Sequence, residues 1–382
     1  MRLMHLSDLH LGKSIMEESL IENQRYILNE IIEIVNNKKV DVVLIAGDVY
    51  DKAIPSVEAV RLFSEFLSRL YKMNIKVFVI AGNHDSKDRL SFGNELFVDN
   101  GIYIEGVFNG SLRSVELEDD NGKILIYMLP FIKPYDVKGF YSGVEINSYN
   151  DAVKVIIDNT KIDKSVRNVI MVHQFVTANG VEFDDSEVEA LSLGGIDNVD
   201  VSLFDDFDYV AMGHIHRGQR LLKDNVRYAG SPLKYSFSEV NHKKSVPIID
   251  IGKKGDIDIE YVDLVPFRDM RVIKGKLDNL LCDDVVRLGN VDDYICAIIT
   301  DDDYVMDVIG KLRSVYKNVL KVEYQNKRSL SNNNVMNVID VDKKSEIELF
   351  NEFYLKQNNI EMDEERLDIV NNVIRECLEK EL

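Results

Sequence analysis

Two histidines separated by one residue stand between glycines in residues 212–218, "MGHIHRG". They follow the apolar run 209–212, which is typical of a buried strand. Because residues i and i+2 of an extended chain point to the same side, His214 and His216 could converge on one ligand. A polar loop that happens to contain two histidines is the alternative, so the interpretation depends on the rest of the chain.

Similar polar groups follow four other apolar runs. They are Asp8 and His10 in "SDLH", Asp48 in "AGDVYD", Asn83, His84 and Asp85 in "AGNHD", and His173 in "VHQF". The carboxyl ends of strands are where open α/β sheets place their ligand crevice. Carboxylate, imidazole and amide groups without sulfur suit a borderline-hard divalent cation such as Mn²⁺. Together with the two histidines they exceed what one ion needs and suit two ions that share a carboxylate.

Short apolar runs alternate with helical patterns in the first half of the chain. Strand-like runs at 3–6, 40–47 and 75–82 are separated by helical stretches at 18–36 and 57–71. This alternation is typical of βαβ units around a buried sheet. Further strand-like runs follow, including a hairpin around "EDDNGK" at 118–123, where Asn-Gly would supply residues with positive φ. The pattern predicts two sheets packed face to face, with helices outside.

Composition limits the possible environments and partners of the chain. No apolar run approaches the length of about 20 residues that a membrane span needs, and no secretory signal precedes the first motif. We therefore expect a cytoplasmic protein without membrane contact. The three cysteines form no CxxC pair, which argues against a disulfide framework or a thiolate metal site.

The net charge of −20 argues against nucleic-acid binding, but the charge is unevenly distributed. Residues 217–244 contain seven basic residues against two acidic ones, a formal charge of +5. The basic residues are Arg217, Arg220, Lys223, Arg227, Lys234, Lys243 and Lys244. An ordinary solvated face is the alternative. Because the run begins directly after the paired histidines, we expect Arg217, Arg220 and Lys223 to contact the phosphates of a nucleic acid.

The order and spacing of the motifs resemble the calcineurin-like metallophosphoesterases. Within this superfamily, the chain is similar to the SbcD family of nuclease subunits. The similar segments are "HLSDLHLGK", "LIAGDVYD", "VIAGNHDS", "GHIHRGQ" and "GSPLKYSFSE…HKKSV". The resemblance is strongest up to about residue 265. It implies an α/β fold, a metallophosphoesterase β-sandwich flanked by helices, followed by a small α+β capping domain and C-terminal helices.

The resemblance also implies a division of the chain into four segments. These are a nuclease domain at 1–265, a small DNA-capping domain at 266–330, a linker at 331–344 and C-terminal helices at 345–382. In the last helix Leu367, Val370, Ile374 and Cys377 recur at helical spacing and form a narrow apolar seam. This seam could pack on its own domain or bind a partner helix.

By similarity to the family, the polar residues receive separate roles. Asp8, His10 and His216 are expected to hold one metal ion, and Asn83, His173 and His214 the other, with Asp48 bridging both. His84 is expected to be catalytic, steadying the phosphate or protonating the leaving group. Asp85 is expected to orient an imidazole from outside the ligand set. Some relatives carry a histidine where Asp51 stands here, so Asp51 receives no catalytic role and could be a helix cap or an outer contact.

The resemblance implies a Mn²⁺-dependent DNA exonuclease and endonuclease that works with an SbcC-type ATPase in DNA repair and recombination, as a homodimer within a heterotetramer. A phosphoesterase for small molecules or phosphoproteins is the first alternative. The basic run, the small domain and the terminal helices favour DNA. A non-catalytic scaffold is the second alternative, and it is disfavoured because no metal ligand is missing.

Overall fold

The computed structural model describes residues 1–178, 197–303 and 305–325, together with individual residues between 347 and 373. The chain divides into two compact units, Met1–Met270 and Arg271–Leu382. The expected linker at 331–344 lies outside the described residues. So does most of the expected helical tail at 345–382, including Ile374 and Cys377 of the apolar seam.

The first unit is built mainly from strands, with helices between them. Its strands are β1 (Arg2–Leu6), β2 (Ser14–Ile15), β3 (Glu18–Ser19), β4 (Val42–Ala46), β5 (Lys76–Ile80), β6 (Ile102–Glu105), β7 (Arg113–Asp119), β8 (Gly122–Leu129), β9 (Arg167–Val172), β10 (Val176–Thr177), β11 (Val199–Asp200), β12 (Tyr209–Met212), β13 (Gln219–Leu221), β14 (Lys223–Tyr228), β15 (Ser245–Ile251) and β16 (Ile257–Asp263). Among the described residues of this unit, the helices are α1 (Ile21–Lys38), α2 (Val57–Lys72), α3 (Lys87–Leu90), α4 (Asn94–Val98), α5 (Pro134–Lys138) and α6 (Tyr149–Asp158), with 3₁₀ turns at Val201–Phe204 and Phe237–Glu239.

Two six-stranded sheets form the body of this unit. The first has the order β16-β15-β1-β4-β5-β6, and the second has the order β13-β14-β12-β9-β8-β7. In the first sheet β1, β4, β5 and β6 are parallel. In the second sheet β14, β12, β9 and β8 are parallel. Each sheet therefore has a parallel centre, and the carboxyl ends of its central strands meet at one edge.

The core lies between the two sheets, and helices cover their outer faces. Along β9, Val169 and Met171 belong to the cluster between the sheets, whereas Ile170 and Val172 pack in the cluster that contains α6. Because successive strand residues face opposite sides, the run 169–172, which is covered on both sides, is apolar at every position. On the first sheet, α2 packs against β5 and against α1. The expected β-sandwich flanked by helices is therefore confirmed.

The hairpin between β7 and β8 differs in one detail from the expectation. Asp119 pairs with Gly122 across the turn, and Gly122 has a φ of 93°. Asn121 is not among the residues with positive φ, so the glycine alone supplies this conformation.

The second unit contains a three-stranded sheet with short helices. Its elements between residues 270 and 325 are β17 (Met270–Gly275, which begins at the last residue of the first unit), α7 (Leu277–Leu280), α8 (Asp283–Val286), β18 (Tyr294–Ile299), α9 (Val308–Arg313) and β19 (Asn318–Tyr324). The sheet order is β17-β18-β19, with β18 parallel to β19. Ile295 and Ala297 pack with Leu312 and Tyr316 in its core.

Among the residues described, no helix combines the length and the apolar character that crossing a bilayer requires. Cys282 and Cys296 are free cysteines, the first exposed and the second buried.

Candidate metal centre

Five strands of the sandwich end at one place and deliver polar residues there. The first sheet contributes the segments after β1, β4 and β5, and the second contributes those after β9 and β12. These segments carry the residues whose types predicted a metal site. They are Asp8, His10, Asp48, Asn83, His84, His173, His214 and His216.

Four of these residues have a left-handed backbone. The φ values are 52° for Asp8, 43° for His10, 50° for Asp48 and 94° for His214. Such conformations are costly for residues with side chains, and they persist only where the surroundings enforce them. Here Asp8 N donates to Gly47 O and His10 N donates to Asp48 O, both at 3.0 Å. Hydrogen bonds between the segments after β1 and β4 thus hold the backbones of Asp8 and His10 at the centre.

The glycines of the motifs are required by close approach between loops. A Cβ on Gly47 would lie 2.2 Å from His173 Nδ1, and one on Gly82 would lie 2.1 Å from Asp48 Oδ1. A Cβ on Gly213 would lie 2.0 Å from Ala46 O. The absence of side chains at these positions therefore lets the ligand-bearing loops of the two sheets come together.

The first group of candidate ligands consists of Asp8, His10 and His216. One ligand atom from each lies within 4.8 Å of the others. His10 Nε2 and His216 Nε2 are 3.1 Å apart. Both oxygens of Asp8 accept from His214 N, at 3.0 and 3.1 Å, which fixes the carboxylate beside the loop of the second sheet.

The second group consists of Asn83, His173 and His214. Asn83 Oδ1 lies 3.1 Å from His173 Nε2 and 3.0 Å from His214 Nδ1. Asp48 stands between the two groups, because its Oδ2 is 3.3 Å from His173 Nε2 and 3.6 Å from His10 Nε2. The structure thus brings together all the residues proposed as ligands, with the proposed bridge in the middle.

Burial and mutual charge shift the pKa values of these groups strongly. Burial would raise the pKa of Asp48, but the charges of His173 and His10 and a hydrogen bond from His173 lower it below its usual range. Burial would lower the pKa of His173, but Asp48 raises it to about 9. Burial lowers the pKa of His214 to about 3. At Asp48 and His173 the attraction between the two groups thus outweighs the effect of burial, whereas burial dominates at His214.

The donor set fits a divalent cation. His173 Nδ1 donates to Ala46 O at 2.7 Å, so its Nε2 carries a lone pair when the ring is neutral. That Nε2 faces Asn83 Oδ1 and Asp48 Oδ2, which can only accept. Buried acceptors that face one another need a positive charge between them, which either a proton on the ring or a bound cation can provide. A metal ion held by oxygen and imidazole nitrogen supplies this charge.

His84 lies at the exposed side of the centre. Its backbone N donates to Asp48 Oδ1 at 2.9 Å, and its ring Nδ1 lies 2.9 Å from Asp51 O, which can only accept. Its ring contacts the His10 ring edge-on, with centroids 4.8 Å apart. One nitrogen of His84 also lies within 4.8 Å of ligand atoms of His10 and Asp48. The Asp51 carbonyl thus fixes the ring next to the ligands, on the side open to solvent.

Asp85 was expected to orient an imidazole, but its carboxylate accepts hydrogen bonds from backbone N–H groups. Its Oδ2 accepts from Val49 N and Gly82 N, at 3.1 and 2.9 Å, and its Oδ1 accepts from Tyr50 N at 2.9 Å. A buried carboxylate needs such donors, and here they all belong to the backbone. Asp85 therefore joins the loop after β4 to the loop after β5.

The Asp51 side chain makes an outer contact. Its Oδ1 is 2.8 Å from Lys13 Nζ and 3.6 Å from His10 Nδ1. It does not cap α2, because Ser56 is the N-cap and its side chain accepts from Ala59 N.

The sequence motifs did not single out Glu239, which contacts a proposed ligand. Its Oε1 is 3.1 Å from His216 Nδ1, and its side chain is 1% exposed. The residue falls within the phrase "GSPLKYSFSE" that supported the resemblance, and this phrase was the available signal.

Two of the three basic residues expected to contact DNA form ion pairs with carboxylates of the chain. Arg220 Nη1 lies 2.9 Å from Asp224, and Lys223 Nζ lies 3.0 Å from Asp205, with both cations well exposed. Arg217 is half-buried directly after His216.

Two of the remaining basic residues of 217–244 are buried. Arg227 is buried and stacks on Tyr261, with its guanidinium carbon 4.3 Å from the ring centroid. Lys244 is buried against Glu239. The count of positive charges in the sequence therefore overstated the charge available to a ligand.

Known proteins similar to this chain agree with the geometry. Residues 1–218 match the sequence model of the calcineurin-like phosphoesterases, and residues 266–358 match that of the type 5 capsule protein repressor C-terminal domain. The chain is 28% identical to the D subunit of nuclease SbcCD from Staphylococcus epidermidis over 387 residues, which cover 100% of both proteins. This full-length similarity confirms the resemblance to SbcD proteins.

Two solved structures are more distant. TT1561 of Thermus thermophilus aligns with a TM-score of 0.39 and 11% identity, over 68% of this chain and 98% of that one. A dimetal phosphatase from Danio rerio aligns with a TM-score of 0.36 and 12% identity, over 69% of this chain and 99% of that one. Because the phosphoesterase match covers more than half of its residues, the chain belongs to the calcineurin-like phosphoesterase family.

Proposed function

We propose that this chain is the nuclease subunit of a DNA-processing complex, a metal-dependent phosphodiesterase that acts with an SbcC-type ATPase. The observation that carries the proposal is the convergence of oxygen and nitrogen ligands around Asp48. The full-length similarity to a protein named as a subunit of nuclease SbcCD extends it from phosphoesterase to nuclease.

Two divalent ions fit the ligand set. Asp8, His10 and His216 would hold one ion, and Asn83, His173 and His214 would hold the other, with Asp48 shared. Such ions lower the pKa of a bound water and stabilise the charge that develops on a phosphodiester. The mixture of carboxylate, imidazole and amide ligands favours Mn²⁺.

His84 is the residue of the chain that we assign to the chemistry itself. When its Nδ1 donates to the Asp51 carbonyl, its Nε2 is left for the substrate. An exposed imidazole at this place can steady the scissile phosphate or give a proton to the leaving oxygen. Asp51 contributes through its backbone carbonyl, as a positioning residue for His84.

Arg217, Arg220 and Lys223 are proposed to contact the DNA backbone. The ion pairs of Arg220 and Lys223 are more than half exposed, and such pairs contribute only about 0–1 kcal/mol. Phosphates can therefore replace Asp224 and Asp205 at little cost.

Neutralising these three residues to glutamine should weaken DNA binding and flatten its dependence on salt. Each lost phosphate contact removes about 0.9 units from the slope of log affinity against log salt. Turnover of a small phosphodiester should not change. Lys154→Gln is the matched control, because Lys154 is also exposed and paired to a carboxylate, Asp158. An unchanged salt slope in the triple variant would contradict the assignment.

The C-terminal helices are proposed to bind the coiled-coil base of the ATPase. The surface proposed for this contact consists of Leu367, Val370, Ile374 and Cys377 together with Phe350, Phe353 and Tyr354. Of these, Phe350 is exposed and Leu367, Val370 and Tyr354 are half-buried, whereas Ile374, Cys377 and Phe353 lie outside the described residues. Exposed apolar residues in an amphipathic tail are typical of helix-in-groove recognition. Deleting all residues after Lys344 should leave an enzyme that cuts simple DNA ends but no longer co-purifies with the ATPase. Full binding by the truncated chain would contradict this proposal.

The assembly is proposed to be a heterotetramer built around a homodimer of this chain. Light scattering of the purified chain with the ATPase should then give a mass equal to two copies of each. A complex with one copy of each would contradict it.

The function itself is tested by cleavage of labelled linear duplex and hairpin DNA in Mn²⁺, beside bis(p-nitrophenyl) phosphate. We expect cutting of both DNA substrates that a chelator abolishes. Turnover of the small diester with both DNA substrates left intact would favour a phosphoesterase for small molecules and contradict the nuclease proposal.

A further inference from the structure

A buried ion pair stands behind His216, outside the ligand set. Glu239, 1% exposed, ends the 3₁₀ turn Phe237–Glu239, and its Oε2 lies 2.5 Å from Nζ of Lys244, which is itself buried. Desolvating two charges is costly, and a well-packed apolar pair in the same place is often as stable. Stability alone therefore does not explain the choice of these residues.

The pair holds His216 at two points. Glu239 Oε1 faces His216 Nδ1 at 3.1 Å and accepts from Tyr235 N at 3.3 Å. Lys244 Nζ donates to the carbonyl oxygen of His216 at 2.9 Å and to Ser231 Oγ at 2.8 Å. Both the ring and the backbone of this one ligand are thus fixed by buried charged groups.

The contact with Glu239 decides which ring nitrogen faces the metal centre. A carboxylate can only accept, so His216 Nδ1 carries the proton and Nε2 of the neutral ring is left as an acceptor. Nε2 is the atom that faces His10 Nε2 at 3.1 Å. The tautomer that Glu239 selects is therefore the one that can bind a cation.

The two groups of ligands differ in the residue that holds the outer nitrogen of a histidine ring. His173, in the second group, has its Nδ1 held by the neutral carbonyl of Ala46 at 2.7 Å. A carboxylate hydrogen-bonded to an imidazole makes the ring a stronger ligand than a neutral carbonyl does. Its negative charge stabilises the positive charge that the ring takes on when its other nitrogen binds a cation. The first group also contains the carboxylate of Asp8, whereas the second contains the amide of Asn83.

We infer that Glu239 is a positioning residue that fixes and strengthens His216 as a ligand, and thereby makes the group of Asp8, His10 and His216 the tighter of two divalent-cation sites. Lys244 compensates the charge of Glu239 and holds the His216 backbone. The inference rests on the proposed binding of two metal ions. It is independent of whether the substrate is DNA.

The test is calorimetric titration of Mn²⁺ into the metal-free full chain. We expect two binding steps in the wild type. The double variant Glu239→Leu with Lys244→Met removes both buried charges together, so that neither is left unpaired. It should lose about 10- to 100-fold in the affinity of the tighter step, the range seen when such outer partners are removed. The weaker step should change little.

Two further variants guard against a purely structural effect. Glu239→Asp keeps the charge next to Lys244 but withdraws the carboxylate by one methylene, so it should fold and still lose affinity in the tighter step. Asp293→Asn is the matched control, because Asp293 is a buried carboxylate paired with Arg271 in the second unit. It should leave both steps unchanged.

The outcomes separate the inference from the proposed function. If the wild type fails to bind two ions, the two-metal proposal itself is contradicted. If the wild type binds two ions and both Glu239 variants bind them with unchanged affinity, Glu239 has only a structural role and the inference is overturned. A loss in the weaker step alone would also overturn it, because the supported site would then not be the tighter one.

Discussion

The Gly47→Ala substitution should damage the metal centre far more than its size suggests. The added Cβ would lie 2.2 Å from His173 Nδ1, 2.5 Å from Cγ and 2.9 Å from Cβ of the same residue. Ordinary contact begins at 3.4 Å, so the imidazole must retreat by 1.2 Å (3.4 minus 2.2 Å). A misplacement of about 1 Å at an active site costs about 100-fold in rate. We therefore expect kcat/KM to fall by about 100-fold or more.

Stability should fall as well. Gly47 has a φ of 89°, which costs a residue with a side chain about 1–2 kcal/mol. Forcing a methyl group into a packed interior adds about 1–3 kcal/mol. The assays are urea unfolding, Mn²⁺ titration and phosphodiester turnover.

Gly255→Ala is the matched control for this substitution. Gly255 has a φ of 82°, and no atom lies within 4 Å of the place that an added Cβ would take, so it isolates backbone strain from the clash. We expect it to lose only about 1–2 kcal/mol and to keep full activity. Activity of Gly47→Ala within a few-fold of wild type, or equal damage by Gly255→Ala, would refute the reasoning.

Three other substitutions address separate parts of the structure. His84→Ala should lower cleavage by about 100- to 10,000-fold and leave two ions bound, and loss of an ion on metal analysis would show that His84 is a ligand. Asp48→Ala should weaken both ions together in a Mn²⁺ titration, and native affinity at either site would mean that Asp48 is not shared. Asp119→Ala removes the carboxylate bound to the buried guanidinium of Arg167, and it should cost about 3 kcal/mol in urea unfolding. The exposed carboxylate of Asp158 is the control, and Asp158→Ala should lower the free energy of unfolding by about 0.5 kcal/mol or less. Equal losses of stability in the two variants would show that the ion pair of Asp119 with Arg167 contributes no more than an exposed pair.

The sandwich and the position of the centre could be predicted because each depends on local signals. The run 169–172 is apolar at every position, and the structure covers both faces of β9. A histidine directly after such a run can only lie at the carboxyl end of the strand. The convergence of His173 and His214 follows from the parallel pairing of β9 with β12.

The contacts around the centre depend on loop geometry, and the sequence carries no periodic signal for them. Glu239 and His216 are 23 residues apart, the first at the end of a short 3₁₀ turn and the second in the loop after β12. Asp85 was expected to orient an imidazole, but its neighbours are backbone N–H groups 35 and 36 residues earlier in the chain. Such pairings are set only when the two loops are folded together.

The basic run shows a second limit of sequence patterns. Basic residues that are close in sequence have partners from different segments here, and some of these residues are buried. Lys223 pairs with Asp205 and Lys243 pairs with Asp263, whereas Lys244 is buried behind His216. Counting charges along the chain ignores these partners, and the count therefore overestimates the cationic surface.

The most direct test of the two-metal centre is electron paramagnetic resonance of the Mn²⁺-loaded full chain during a metal titration. Two ions that share the Asp48 carboxylate should be magnetically coupled. We therefore expect a coupled spectrum to replace the isolated-ion signal as the second equivalent of Mn²⁺ binds. An uncoupled six-line spectrum at saturation, or saturation at one ion per chain, would contradict a shared two-metal centre.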